Sequence, residues 1–179
     1  MDFKESKQWR QNMKVIGIVA HDEHLGIGKN GTLPWYEPED LKRFARLTKN
    51  QAVLMGRKTW ESLPRKPLPS RINIVCSRYA EYLAVHKDVL KFEDAKEAII
   101  SLKKKPLTDI LWIIGGAEIY STTMQFWDEL YVTKIPRVHD CDVFFPPYSK
   151  DFTLAHDELG IYKIYKRTNF AFTDFNFGF

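Results

Sequence analysis

Cysteine, long apolar runs and charge of one sign are all scarce in this chain of 179 residues. The two cysteines, Cys76 and Cys141, are far apart and lack metal-site spacing. Free thiols in a reducing compartment are the expectation. No apolar run approaches the roughly 18 residues of a membrane helix. The first 12 residues are polar and have no apolar centre of the kind a signal peptide carries. The expected location is therefore the cytoplasm. Twenty-seven basic residues against 23 acidic leave a net charge of +4. That excess suits an anionic small molecule and is too dilute for a nucleic-acid surface. There is no internal repeat and no low-complexity segment. The glycines at 26, 28 and 31 do not follow the dinucleotide fingerprint, which needs two glycines before a helix and a third inside it.

What is present is a globular composition, 44% apolar and 14% aromatic. A chain of this length forms one domain and buries about 70% of its unfolded surface. Strand patterns lie at Val15–Ala20, Ala52–Gly56, Ile72–Ser77, Ile110–Ile114, Glu129–Pro136 and Ile161–Thr168. Helical patterns lie at Pro38–Thr48, Thr59–Leu63, Asp94–Lys104 and Ala117–Phe126. The first four strands are short, apolar and separated by helices, as in a parallel sheet covered on both faces. The last two alternate more and read as antiparallel additions at one edge. Residues 13–168 are expected to form the domain, with an extension at 1–12 outside the core. Residues 169–179 form a tail in which Phe172, Phe175, Phe177 and Phe179 fall close together.

The stretch that organises the rest runs from Gly26 to Trp35, with Asp40 just beyond. Its glycines permit tight backbone geometry, Pro34 stiffens the exit, and Trp35 offers an apolar face with one N–H donor. A helix follows, with Leu41, Phe44 and Leu47 along one side. One reading is a loop laid over a ligand with an acid beneath it. The plainer reading is ordinary helix chemistry, because proline and acids suit any first turn. Two later junctions, Met55-Gly56-Arg57-Lys58-Thr59 and Ile114-Gly115-Gly116-Ala117-Glu118, each run from an apolar strand through glycine into a helix. Each alone is also turn chemistry. Together, at the carboxyl ends of strands, they favour a long anionic ligand such as a dinucleotide. A third strand end supplies Ser77 and Arg78, and arginine suits phosphate through its planar donor fork.

In order along the chain stand Ile18-Val19-Ala20, Gly26-Ile27-Gly28, Leu33-Pro34-Trp35, Asp40-Leu41, Phe44, Met55 to Ser62, Pro67 to Arg71, Ser77-Arg78, Ile114-Gly115-Gly116, Tyr120, Leu130 to Thr133, Asp142 and Phe144-Phe145-Pro146. This ordered set resembles the dihydrofolate reductase family from about Met13 to Thr168. Ser70 departs from the family pattern, standing where glycine is usual. The resemblance implies a single-domain α/β fold of three αβα layers. Its central mixed sheet has about eight strands, mostly parallel and antiparallel at the C-terminal end, flanked by about four helices. It implies reduction of 7,8-dihydrofolate to tetrahydrofolate by hydride transfer from NADPH, in a monomer with no metal, membrane or nucleic-acid partner.

The same resemblance implies roles. Asp40 fixes the pterin through its amide-like N–H and amino group and favours protonation at N5. Thr133 hydrogen-bonds that acid, and Trp35 donates to a water beside it. Ile18, Val19 and Ala20 line the pterin slot, with carbonyls offered by Ile18 and Ile114, and Tyr120 belongs to the substrate set. Leu41, Phe44, Leu63 and Leu68 flank the aminobenzoyl ring, and Arg71 pairs with the glutamate carboxylate of the substrate. Residues 26–33, among them Ile27, Gly28 and Leu33, form a lid that meets the nicotinamide with Ala20. Gly56, Arg57, Lys58 and Thr59 hold the pyrophosphate with Gly115, Gly116, Ala117, Glu118 and Ile119. Lys58, Ser77 and Arg78 surround the 2′-phosphate. The Gly115–Gly116 peptide is implied to be cis. The alternatives are a pyrimidine reductase on the same fold, whose family lacks the Leu-Pro-Trp corner and its acid, and a non-catalytic pterin or nucleotide carrier.

Overall fold

The computed structural model describes residues 13–79 and 88–168. The expected extension (1–12) and aromatic tail (169–179) lie outside the described residues. In chain order the elements are β1 Lys14–His21, β2 Gly26–Gly28, α1 Pro38–Thr48, β3 Ala52–Gly56, α2 Arg57–Ser62, β4 Ile72–Cys76, β5 Val89–Phe92, α3 Ala95–Lys104, β6 Ile110–Gly115, α4 Ala117–Thr123, β7 Glu129–Lys134, β8 Val143–Phe144, β9 Phe152–Glu158 and β10 Tyr162–Arg167. A short 3-10 turn, Met124–Phe126, follows α4. Eight strands form one sheet in the order β5-β4-β3-β6-β1-β7-β10-β9, and β2 pairs separately with β8. The pairs from β5 to β7 are parallel, while β10 runs antiparallel to both β7 and β9. This is the mixed α/β architecture expected.

Strand alternation divides the core in two. Val15, Val19, Leu54, Ile74, Leu111, Ile113, Leu130 and Val132 pack with α3 and α4. Ile16, Ile18, Val53, Met55, Val75 and Trp112 pack on the other face, with Trp60 of α2 and with Phe44 and Leu47 of α1. Midway along β1, a Cβ on Gly17 would lie 2.4 Å from the Trp127 ring, so the indole reaches the strand only because no side chain intervenes. Among the described residues no helix is long and apolar enough to cross a membrane. Cys76 and Cys141 are both free thiols.

Several boundaries differ from expectation. The second helix starts at Arg57 rather than Thr59, because Gly56 leads directly from strand into helix in an extended conformation without a side-chain cap. The fourth helix ends at Thr123 rather than Phe126, where the Thr122 and Thr123 hydroxyls fold back on the carbonyls of Glu118 and Ile119. Strand β7 stops at Lys134, short of Pro136, which has no N–H for a ladder. Strands β2, β5, β8 and β9 were not apparent in the sequence. The first three have two to four residues, and β9 is exposed along all but its first residue.

Candidate active site

The carboxyl ends of β1, β3, β6 and β7 converge where the strand order reverses, the usual place for a ligand in an open α/β sheet. Helix α1 lies over the β1 end. Asp40, Phe44 and Leu47 fall at i, i+4 and i+7, which places the carboxylate on the inward stripe of the helix. An acid on that stripe needs a partner, and Thr133 provides one. Its Oγ1 donates to Asp40 Oδ1 at 2.5 Å. Thr133 is buried on β7 and lies opposite Ala20 of β1 in the ladder. The carboxylate, the threonine hydroxyl and the end of β1 therefore meet at one point.

Tyr120 approaches β1 from α4. Its hydroxyl donates to the Ile18 carbonyl at 2.8 Å. Burial, helped by the charge of Asp40, pushes the phenol far above its ordinary pKa, so it stays a donor. One lone pair of the Ile18 carbonyl is thus already used. Leu63 and Leu68 pack against the second core cluster beside Phe44 and Ile114. Leu41 is about half exposed at the rim of α1. Arg71 is held at the end of α1: Nε donates to Thr48 Oγ1 at 2.7 Å, Nη1 to the Pro69 carbonyl at 2.6 Å and Nη2 to the Ala45 carbonyl at 3.0 Å. Two of its five N–H donors remain uncommitted by these bonds. Desolvation lowers its pKa from the ordinary value, which leaves arginine charged.

The two glycine junctions abut because β3 and β6 are neighbours. A Cβ on Gly56 would lie 3.0 Å from Ile119 Cγ1, and one on Gly116 would lie 3.3 Å from Thr59 Oγ1. The Gly115–Gly116 peptide is cis. At the neighbouring end of β4, Ser77 is buried and its Oγ accepts from the Tyr79 N–H at 3.1 Å. Lys58 is exposed. Arg78 Nη2 stands 4.0 Å from Glu118 Oε1, with both side chains over four-fifths exposed. Arg57 pairs with Glu61 at 2.7 Å and lies over the Tyr79 ring.

The glycine-rich stretch is more ordered than a plain loop. Gly26–Gly28 pairs antiparallel with Val143–Phe144, and Lys29 and Thr32 exchange backbone hydrogen bonds of 2.9 and 3.0 Å. Asn30 N–H donates to Asp142 Oδ2 at 3.0 Å. Ile27 is partly buried against the core, whereas Leu33 is exposed. Trp35 is half-buried and meets His139 edge-on.

Sequence reasoning missed four residues here. Asp22 is 1% exposed, and its Oδ1 accepts from the N–H groups of His24 and Gly26. Burial alone would raise its pKa, but N–H donors from His139, Gly26 and His24 overcome this and hold it below the ordinary value. His21 is fully buried. Its Nδ1–H donates to the Asp22 carbonyl at 2.7 Å, which leaves Nε2 to accept from the Tyr148 hydroxyl at 3.0 Å. Burial lowers its pKa to about 4. Arg43 lies over the rings of Tyr131 and Tyr162, one turn from Asp40. His139 comes from the β7–β8 segment. A polar pair directly after the apolar run of β1 was the available signal for His21 and Asp22. Arg43 and His139 gave none.

A family model described as dihydrofolate reductase matches residues 14–176. A dihydrofolate reductase of Neisseria meningitidis serogroup A is 35% identical over 163 residues, covering 91% of this chain and 98% of the relative. One from Mycobacterium leprae is 38% identical over 78% of this chain and 84% of its own length. A putative dihydrofolate reductase of Caenorhabditis elegans is 42% identical over 73% and 76%.

Proposed function

The chain belongs to the dihydrofolate reductase family and reduces dihydrofolate with a nicotinamide cofactor; we propose that this cofactor is NADPH and that Asp40, Thr133 and Trp35 form the reacting end of the cleft. The single observation that carries the placement is the Thr133–Asp40 hydrogen bond on the inward stripe of α1. With Oδ1 engaged by Thr133, the carboxylate is fixed in direction. It accepts from the amide-like N–H and amino group of the pterin rim and thereby sets the ring in one orientation. Its negative charge favours the proton that must reach N5. Ile18, Val19 and Ala20 form the floor of the slot. Phe44, Leu63 and Leu68 give the aminobenzoyl ring an apolar wall, and the remaining donors of Arg71 face the substrate's glutamate carboxylate.

The residues present fit the cofactor. Gly56 and Gly116 lack Cβ atoms where two strand ends crowd together, so backbone N–H groups approach a pyrophosphate closely. Lys58, Ser77 and Arg78 supply two cations and a hydroxyl for a 2′-phosphate. When bound, the cofactor supplies the hydride for pterin C6. Residues 26–33 cover that region and exclude water. The same reading takes the protein as a monomer acting on a small molecule, and places it in the cytoplasm, where free thiols persist.

The test is loss of the near-ultraviolet absorbance of NADPH when protein and dihydrofolate are mixed. Asp40→Asn swaps an acceptor oxygen for a donor and removes the charge. Single-turnover hydride transfer is expected to fall about 10²–10⁴-fold, with NADPH affinity little changed. Near-normal transfer in that variant removes Asp40 from the chemistry.

A further inference from the structure

We infer that His139 is a positioning residue that holds the Trp35 indole in place and is itself held by the carboxylate of Asp22. The inference rests on the reading above, in which Trp35 borders the reacting pterin. His139 meets Trp35 with ring centroids 5.2 Å apart and planes at 69°, the edge-on arrangement that aromatic pairs favour. The backbone N–H of His139 donates to Asp22 Oδ2 at 2.8 Å, and its ring Nδ1 lies 4.0 Å from the same oxygen. That nitrogen is buried and has no hydrogen-bond partner. Burying a polar atom in this way is costly unless something compensates, so an ordinary filler residue would serve better if packing were the only demand. The Asp22 carboxylate 4.0 Å away offsets part of that cost when Nδ1 carries the ring hydrogen.

Asp22 makes this arrangement rigid. Its Oδ1 accepts from Gly26 N–H at 2.7 Å and His24 N–H at 2.9 Å, at the start of the glycine-rich stretch. One buried carboxylate therefore fixes both the root of the proposed lid and the segment that carries His139. Trp35 lies just past the far end of the proposed lid, thirteen residues after Asp22, and the His139 ring connects it back to the lid's root. An indole freed from the His139 ring moves relative to Asp40 and admits water beside the pterin. Removing the His139 ring then slows the hydride step more than it weakens cofactor binding.

The test is a double-mutant cycle on the full chain, read by single-turnover hydride transfer and by NADPH affinity. His139→Ala is expected to slow transfer roughly 3- to 30-fold, within the range of couplings between touching residues. NADPH affinity is expected to stay within about twofold, since the Trp35–His139 pair lies on the pterin side of the cleft. His139→Phe keeps the ring edge and deletes the unpaired nitrogen, so it restores most of the rate. In a Trp35→Phe background, His139→Ala adds little. Equal rate reductions in the two backgrounds overturn the inference, as does a His139→Ala variant of unchanged rate. If the alanine variant does not fold, His139→Phe is compared with His139→Leu, and equal rates for ring and aliphatic overturn it. A chain that oxidises no NADPH with dihydrofolate overturns the underlying reading and this inference together. Activity with equal rate reductions overturns only the role of His139.

Discussion

Ser70 shows how one backbone angle explains a departure in sequence. The family resemblance leads one to expect glycine there, and Ser70 has a φ of 57°, in the left-handed region. Its carbonyl accepts from Asn50 N–H at 2.7 Å, so the turn is pinned regardless of the side chain. A Cβ in that region costs about 1–2 kcal/mol, partly offset by the greater entropy glycine loses on folding. Ser70→Gly is therefore expected to stabilise the protein by up to about 1 kcal/mol in urea unfolding, without altering turnover. Arg78 poses a different residue-scale question, that of cofactor choice. It is exposed and stands opposite Glu118 at 4.0 Å, with Ser77 beside it and Lys58 in the first turn of α2, just past the end of the adjacent strand β3. Charge-assisted bonds to phosphate are worth roughly 1.5–3 kcal/mol each. Arg78→Ala should weaken NADPH about 10- to 100-fold, leave NADH almost unchanged, and lose part of its effect at high salt. Comparing kcat/KM for the two cofactors decides it. Equal loss for both would make the arginine structural.

At the scale of elements, β1 governs the site. It lies between β6 and β7, supplies the Ile18 carbonyl to Tyr120 and sets Ala20 beside Thr133. Gly17 keeps its middle clear for Trp127, which is fully buried. Gly17→Ala is expected to cost about 1–3 kcal/mol, the usual range for overpacking, and to lower the midpoint of thermal unfolding. An unchanged midpoint would mean the indole has room to retreat. The apolar parallel strands and α1 were legible in the sequence because their burial patterns are periodic and uninterrupted. The pairing of Asp40 with Thr133 was legible only through family resemblance, since the two are far apart in the chain. Strands β2 and β8 were not legible, because two or three residues carry no period. The Asp22–His139 contact was not legible either, since it depends on where two irregular segments fold back.

For the whole molecule, acid is the informative stress. His21 binds its proton near pH 4 when folded and near 6.5 when unfolded. Between those values the unfolded chain holds more protons, so stability is complete above about 6.5 and is lost as pH falls toward 4. The loss is about 3 kcal/mol by the lower end of that window. Asp22, with its pKa below the ordinary 3.8, adds a second loss only below that pH. Thermal midpoints measured from pH 7 to pH 4 should fall in the native chain and flatten in His21→Gln. A parallel slope in both would assign the acid sensitivity elsewhere. The place of β10 between β7 and β9 bears on synthesis. It is made after both neighbours, and its Arg167 donates to the carbonyls of Met124 and Trp127 that end the preceding helical segment. Until the ribosome delivers those residues, β7, which carries Thr133, presents an open edge, the kind of surface that recruits other chains. The half of the sheet that carries Thr133 is thus the last to be sealed during translation, and a chain cut before β10 is expected to self-associate more than the full chain.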